Sequence, residues 1–268
     1  MFKRIIDEVG RIFSPQTASL TPFTITFGET AARAIYAPRD SDPGAVIAAL
    51  ELPRPSPAIV IMGGAALMDE ASISDVRSTL EDGIAWFAEQ HAVAIFDGGT
   101  HAGVMAMMGA ARARRRYQFP LVGVAPRAVI RYPGYDNPKA MADLDANHSH
   151  FVLTSGNAFG AESDLLGHLG YALAQGGDQR YATLGLIING GAIVAKEAHA
   201  RATGAVRYPL LTMEGSGRYA DDLAAAQNAG RSDDPQIAAI LRAGGVHVMP
   251  INAGAESIRG WLASFFGF

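Results

Sequence analysis

Four times along this chain an apolar run of strand length stops at glycine and passes into a stretch of helix-forming residues. The runs are Ile59-Val60-Ile61-Met62-Gly63-Gly64-Ala65, Val93-Ala94-Ile95-Phe96-Asp97-Gly98-Gly99-Thr100, Leu186-Ile187-Ile188-Asn189-Gly190-Gly191-Ala192 and Leu210-Leu211-Thr212-Met213-Glu214-Gly215-Ser216-Gly217-Arg218. A continuously apolar strand suits a sheet covered on both faces, and parallel strands need long crossovers, usually helical, to bring the chain back to the same rim. The chain is therefore restricted to the α/β class, as a Rossmann-like, doubly wound, mainly parallel sheet with helices on both faces. In such a sheet the carboxyl ends of the strands share one rim, and ligands bind where the strand order reverses. The four glycine turns are expected to line one cleft there.

The same periodicity predicts strands at 58–62, 92–96, 120–124, 149–154, 183–188, 207–212 and 245–249. Helices are predicted at 73–90, 101–116, 161–175, 191–203, 217–228, 234–243 and 254–265. Upstream, Phe23 to Gly28 alternates like a half-exposed strand, Asp40 to Gly44 reads as a turn, and 45–50 as a short helix. Phe2, Ile5, Ile6, Val9, Ile12 and Phe13 recur at helical spacing, and the mixed charges between them favour docking on protein over a membrane surface. With 268 residues, 49% of them hydrophobic, and no repeat or linker, a single domain is expected. Residues 1–55 would be an N-terminal helix and strand extension and 56–268 the Rossmann-like core. Pro126, Pro133 and Pro138 interrupt the rhythm, so 127–147 predicts a long loop over the strand ends.

The formal net charge of −4 argues against a nucleic acid as main partner. Arg112, Arg114, Arg115 and Arg116 cluster, but at the end of a predicted helix, where cations suit the carbonyl terminus. There is no cysteine, hence no disulfide framework and no thiolate nucleophile or ligand. No apolar run approaches the roughly 20 residues that span a bilayer, and the expectation is a cytoplasmic protein.

For chemistry, Gly98, Gly99 and Thr100 are the first candidates for phosphate contact, with Gly103 in the helix that follows. Glycine lets the backbone approach an anion, and the helix dipole favours it. The Thr100 hydroxyl serves equally as a further donor or as a helix N-cap. Gly63, Gly64 and Ala65 are candidates for ligand contact at the neighbouring strand end, and Gly190 and Gly191 form the matching turn. Gly215, Ser216, Gly217 and Arg218 form the second strong element, because a guanidinium pairs bidentately with a phosphate. Glu214 and Asp97 could accept from ligand hydroxyls, and Asn147 and His148 are candidates for ligand contact. His148 and His150 alternate, but no third ligand stands at a zinc spacing, so no metal is expected.

Three of these segments resemble a known family: Asp97-Gly98-Gly99-Thr100-His101-Ala102-Gly103-Val104-Met105, then Leu121 to Pro126, then Leu144-Asp145-Ala146-Asn147-His148-Ser149-His150-Phe151-Val152-Leu153. With Glu214-Gly215-Ser216-Gly217-Arg218-Tyr219-Ala220-Asp221 they are similar to the cytosolic N-terminal region of TRPM cation channels. That region belongs to the SLOG superfamily of Rossmann-like domains, which includes the LOG phosphoribohydrolases and the DprA/Smf proteins. The chain is identified as a member of its prokaryotic branch, called LSDAT. The resemblance implies binding of a nucleotide-derived small molecule, of which ADP-ribose, cyclic ADP-ribose and related NAD metabolites lead, with no separate cofactor. No pore is expected, so output would pass through homo-oligomerisation, an effector protein or chemistry on the ligand.

LOG enzymes carry Pro-Gly-Gly-x-Gly-Thr-x-x-Glu, whose glutamate takes part in cleaving the N-glycosidic bond. Here Asn189 replaces the proline, Ile193-Val194 replace Gly-Thr, and Glu197 is retained as the one catalytic candidate. The resemblance therefore favours a ligand sensor, with a nucleotide N-glycosidic hydrolase as the alternative. Phe159-Gly160-Ala161-Glu162 resembles a further family stretch, with Glu162 read as a charge at the next helix start.

Overall fold

The computed structural model describes residues 20–64, 70–176 and 179–268, so the amphipathic segment 1–13 lies outside the described residues. Nine strands form the main sheet: β1 (Phe23–Phe27), β2 (Thr30–Ala37), β3 (Ala58–Gly63), β4 (Ala94–Asp97), β5 (Leu121–Pro126), β6 (His150–Thr154), β7 (Thr183–Ile188), β8 (Leu210–Glu214) and β9 (Val246–Pro250). Their spatial order is β1-β2-β6-β5-β4-β3-β7-β8-β9. Only the β1–β2 pair is antiparallel; every other neighbour is parallel.

The helices are α1 (Pro43–Leu50), α2 (Glu70–Ser78), α3 (Trp86–His91), α4 (Gly103–Arg115), α5 (Ser163–Ala174), α6 (Ala192–Thr203), α7 (Arg218–Ala229), α8 (Pro235–Ala243) and α9 (Ala255–Phe266). One face of the sheet buries Ile59, Ile61, Ile95, Leu121, Leu186 and Leu211 against α2, α3, α4 and α9. On the opposite face, Val60, Phe96 and Val122 pack under α1 and α5, and Met62, Ile187 and Leu210 under α6, α7 and α8. Both faces are covered, which is why the central strands read as unbroken apolar runs.

In the main sheet the predicted strands agree with those observed to within a few residues, with one omission, and the helices do so too, except that 73–90 divides into α2, a π-helical stretch and α3. β2 was not expected: its Thr30-Ala31-Ala32-Arg33-Ala34-Ile35-Tyr36-Ala37 is rich in alanine, which carries little strand propensity. Pairing decides it, through the two-residue turn at Gly28 (φ +65°) and the parallel register of Arg33 to Ala37 on β6.

Between α2 and α3 the helix widens to π geometry over Thr79–Ala85. This stretch turns Glu81 toward α4, where it receives Arg114 and Arg115, while Asp82 also takes Arg115 at 2.6 Å. Arg112 donates to the carbonyls of Phe119 and Asn147. The arginine cluster is thus tied largely to its own fold.

Residues 127–147 cross the strand ends as expected, but they are pinned. Arg127–Val129 make a 3-10 turn, and Ile130–Arg131 pair with Ala142–Asp143. Thr100 bridges to Leu144, and Asp145 N–H donates to Gly99 O at 2.9 Å.

Candidate functional site

The chain runs from β3 outward through β4, β5 and β6, then returns to build β7, β8 and β9 on the other side of β3. The strand order therefore reverses between β3 and β7, and the crevice for a ligand lies past their carboxyl ends. A cleft of about 430 Å³ occupies that position. Gly63, Gly64, Gly98, Thr100, Gly191, Glu197 and Arg218 line it.

The β3 and β7 turns touch backbone to backbone: a methyl group at Gly64 would stand 2.9 Å from Gly190 N. Gly190 itself is buried, with φ +100°, and a side chain there would meet Val194 at 2.7 Å. Ser216 Oγ accepts from Asn189 N–H at 2.8 Å and donates to Met213 O at 2.6 Å. Ser216 is a buried strut that ties the β7 turn to β8. Arg218, exposed at φ +53°, opens α7 and lays its guanidinium over Gly191. It has no hydrogen bond or ion pair among the described residues.

Several expected contacts lie elsewhere. Asp97 and His148 are buried beneath the Gly98-Gly99 turn, at 0% and 2% exposure. His148 Nε2 lies 2.9 Å from Asp97 Oδ1, and Nδ1 lies 3.0 Å from Asp145 Oδ2. With a carboxylate on each nitrogen, both must be donors, so the ring is imidazolium. Burial works against that charge, but Asp97 and Asp145 outweigh it and raise the His148 pKa to about 9. Burial also pushes Asp145 up, yet the bonds from His148, His101 and Asn147 N–H hold it below the usual carboxylate range. Asp97 Oδ1 takes the Gly99 N–H at 2.7 Å as well. The buried triplet thus fixes the turn from behind.

Asn147 is spent on Asp145, and its carbonyl on Arg112. Gly99 faces away from the cleft, where a methyl group would stand 2.6 Å from Gly123 Cα. Gly103 (φ +50°) is the first residue of α4, whose N-cap is Ala102 rather than Thr100. His150 does not reach the cleft either: it pairs with Ser149 Oγ at 2.9 Å, and burial with Arg112 and Arg33 nearby lowers its pKa to about 4. Glu214 receives Asn228 Nδ2 at 3.2 Å. Gly215 donates to Asp221, Gly217 caps α7, and neither is on the cleft wall. Ala65 lies outside the described residues.

A family model described as SLOG in TRPM, prokaryote, matches residues 56–259. The chain belongs to this family. The match spans β3 to the first turns of α9 and leaves β1, β2 and α1 outside it. No curated protein matches the chain.

Within the family fold, the cleft holds residues that spacing did not single out for it. Glu162 is buried on its wall, accepting Gly160 N–H at 2.8 Å, and burial raises its pKa. Near it Glu197, on the α5-facing side of α6, accepts the Ser163 hydroxyl at 2.6 Å. Burial, reinforced by the charge of Glu162, pushes Glu197 up to about 7 against that hydrogen bond. Met105, Met141, Phe159 and Ile193 supply apolar wall. The sequence signal for Glu162 was present in Phe159-Gly160-Ala161-Glu162; its place beside Glu197 was not, because it depends on α5 and α6 packing side by side.

Among the described residues no helix is long and apolar enough to cross a membrane.

Proposed function

We propose that the cleft binds a nucleotide-derived ligand of the ADP-ribose class and that the protein acts as a receptor for it. One observation carries this reading. The amino ends of α4 and α6 both open on the cleft beyond β3, with the Arg218 guanidinium over Gly191 between the β7 and β8 turns. Amide donors at two helix ends and a guanidinium with no partner among the described residues suit a phosphate or diphosphate. The similarity to TRPM sequences narrows the class to ADP-ribose-like molecules. Titration calorimetry of the whole protein with ADP-ribose, NAD, AMP and cytokinin-type nucleotides tests it. Saturable binding of at least one is expected, weakened about tenfold by Arg218→Ala; no binding to any of them at millimolar concentration overturns the reading.

A second reading, hydrolysis of the bond between base and ribose, is favoured by Glu162 and Glu197 on the same wall. A carboxyl poised at about 7 can give a proton to a departing base or take one from an attacking water at neutral pH. Chromatography of AMP, ADP-ribose and NAD after incubation with the protein decides it. Base release lost in Glu197→Gln would establish hydrolysis, and unchanged substrates would leave the receptor reading.

A further inference from the structure

The described residues leave five large hydrophobic side chains exposed: Phe23, Tyr36, Met141, Ile193 and Phe268. Two of them, Met141 at 70% and Ile193 at 39%, stand on the rim of the cleft. They come from distant parts of the chain, Met141 from the pinned crossing segment and Ile193 from the first turn of α6. Phe159 completes this wall from the approach to α5, anchored against the cluster of Ile130, Leu144 and Phe151. A side chain at Gly160 would lie 3.5 Å from Ile193, so Ile193 closes against the Phe159-Gly160 turn. Below this apolar rim are the carboxyls of Glu162 and Glu197.

The cleft lining is therefore of two chemical kinds. Arg218, Gly64, Gly191, Gly98 and Thr100 make one group, which has no acidic member among the described residues. Phe159, Ile193, Met141 and the two glutamates make the other, where an anion would meet carboxylates and apolar surface. A phosphate there would lose its hydration against apolar surface and buried carboxyls without gaining a cationic partner. What fits is a flat apolar group with N–H or O–H donors at its edge.

Resting on the nucleotide reading, we infer that the ligand is a nucleoside phosphate bound in one direction, its phosphate toward Arg218 and its base seated on Phe159, Ile193 and Met141. Glu162 and Glu197 then accept from the nucleoside's N–H and hydroxyl groups. Exposed apolar rim residues are covered by the base, so they set affinity for the base without touching the phosphate.

The test compares AMP with ribose 5-phosphate, which keeps the sugar and phosphate and lacks the base. Calorimetry on the wild type should show AMP binding at least tenfold tighter. Met141→Ser and Ile193→Ser, both at exposed positions and so compatible with folding, should each weaken AMP several-fold, and together about tenfold, with ribose 5-phosphate unchanged. Arg218→Ala should weaken both probes alike. Equal affinity for the two probes, or rim variants that weaken both equally, overturns this orientation while leaving nucleotide binding intact. If neither AMP, ribose 5-phosphate nor ADP-ribose binds the wild type, the nucleotide reading fails and this inference with it.

Discussion

Glu197 stands one helical turn beyond Ile193 on α6, so the residue that departs from the LOG motif and the one that keeps it lie on the same side of one helix. Ile193 reaches the rim, and Glu197 lies deeper against Ser163. A carboxyl raised to about 7 is ionised in the folded protein only at a cost above that pH, whereas the unfolded chain ionises it near its ordinary value of 4.5. Its contribution is thus destabilising as pH rises from about 4.5 through 7, the reverse of a paired carboxylate. Glu197→Gln keeps an acceptor for Ser163 and removes the charge. It is expected to raise stability by on the order of 2 kcal/mol at pH 8 and by much less at pH 5, read from thermal melts at both. Equal shifts at the two values would show that ionisation is not the cause.

At the scale of elements, the cleft depends on how closely the turns after β3 and β7 approach. A methyl group on Gly64 would stand 2.9 and 3.0 Å from Gly190 N and Cα, both backbone atoms, which cannot rotate aside. Gly64→Ala would therefore force the two turns apart. Melting should fall by an amount corresponding to about 1–3 kcal/mol, with loss of ligand binding at temperatures where the protein is still folded. The control is Gly217→Ala: its φ of +98° imposes strain, but a methyl group there meets nothing within 4 Å. A Gly64→Ala protein with wild-type stability would show that the turns separate without cost.

Across the whole molecule, the Asp97–His148–Asp145 triplet joins β4, the crossing segment and α4, where Asp145 packs against Gly109. His148 is raised from 6.5 to about 9, so its stabilisation is complete below about pH 6.5 and disappears as pH rises through 9. Asp145 is held low, so its share is present above its ordinary pKa of 3.8 and is lost in acid. Melting temperature should therefore peak between these limits and fall steeply between pH 7.5 and 9.5, by on the order of 3 kcal/mol from His148. His148→Asn should be less stable at pH 7 and lack that alkaline fall. An unchanged alkaline fall in the variant would show that another group titrates.

Much of this protein is dictated locally. Apolar runs such as Ile59 to Met62 can satisfy their backbone only in a covered sheet, and the glycines that stop them mark one rim, so fold class and cleft edge follow from the sequence alone. β2 does not, because its alanines become a strand only through pairing with β1 and β6. The roles of the rim residues were not local either. Asp97 and His148 look in sequence like ligand-facing polar groups, and burial turns them into a clamp. Glu162 and Glu197, 35 positions apart, share a wall only once α5 and α6 pack together. Tertiary structure decided which side chains meet, because burial and charge pairing depend on distances that chain order does not encode.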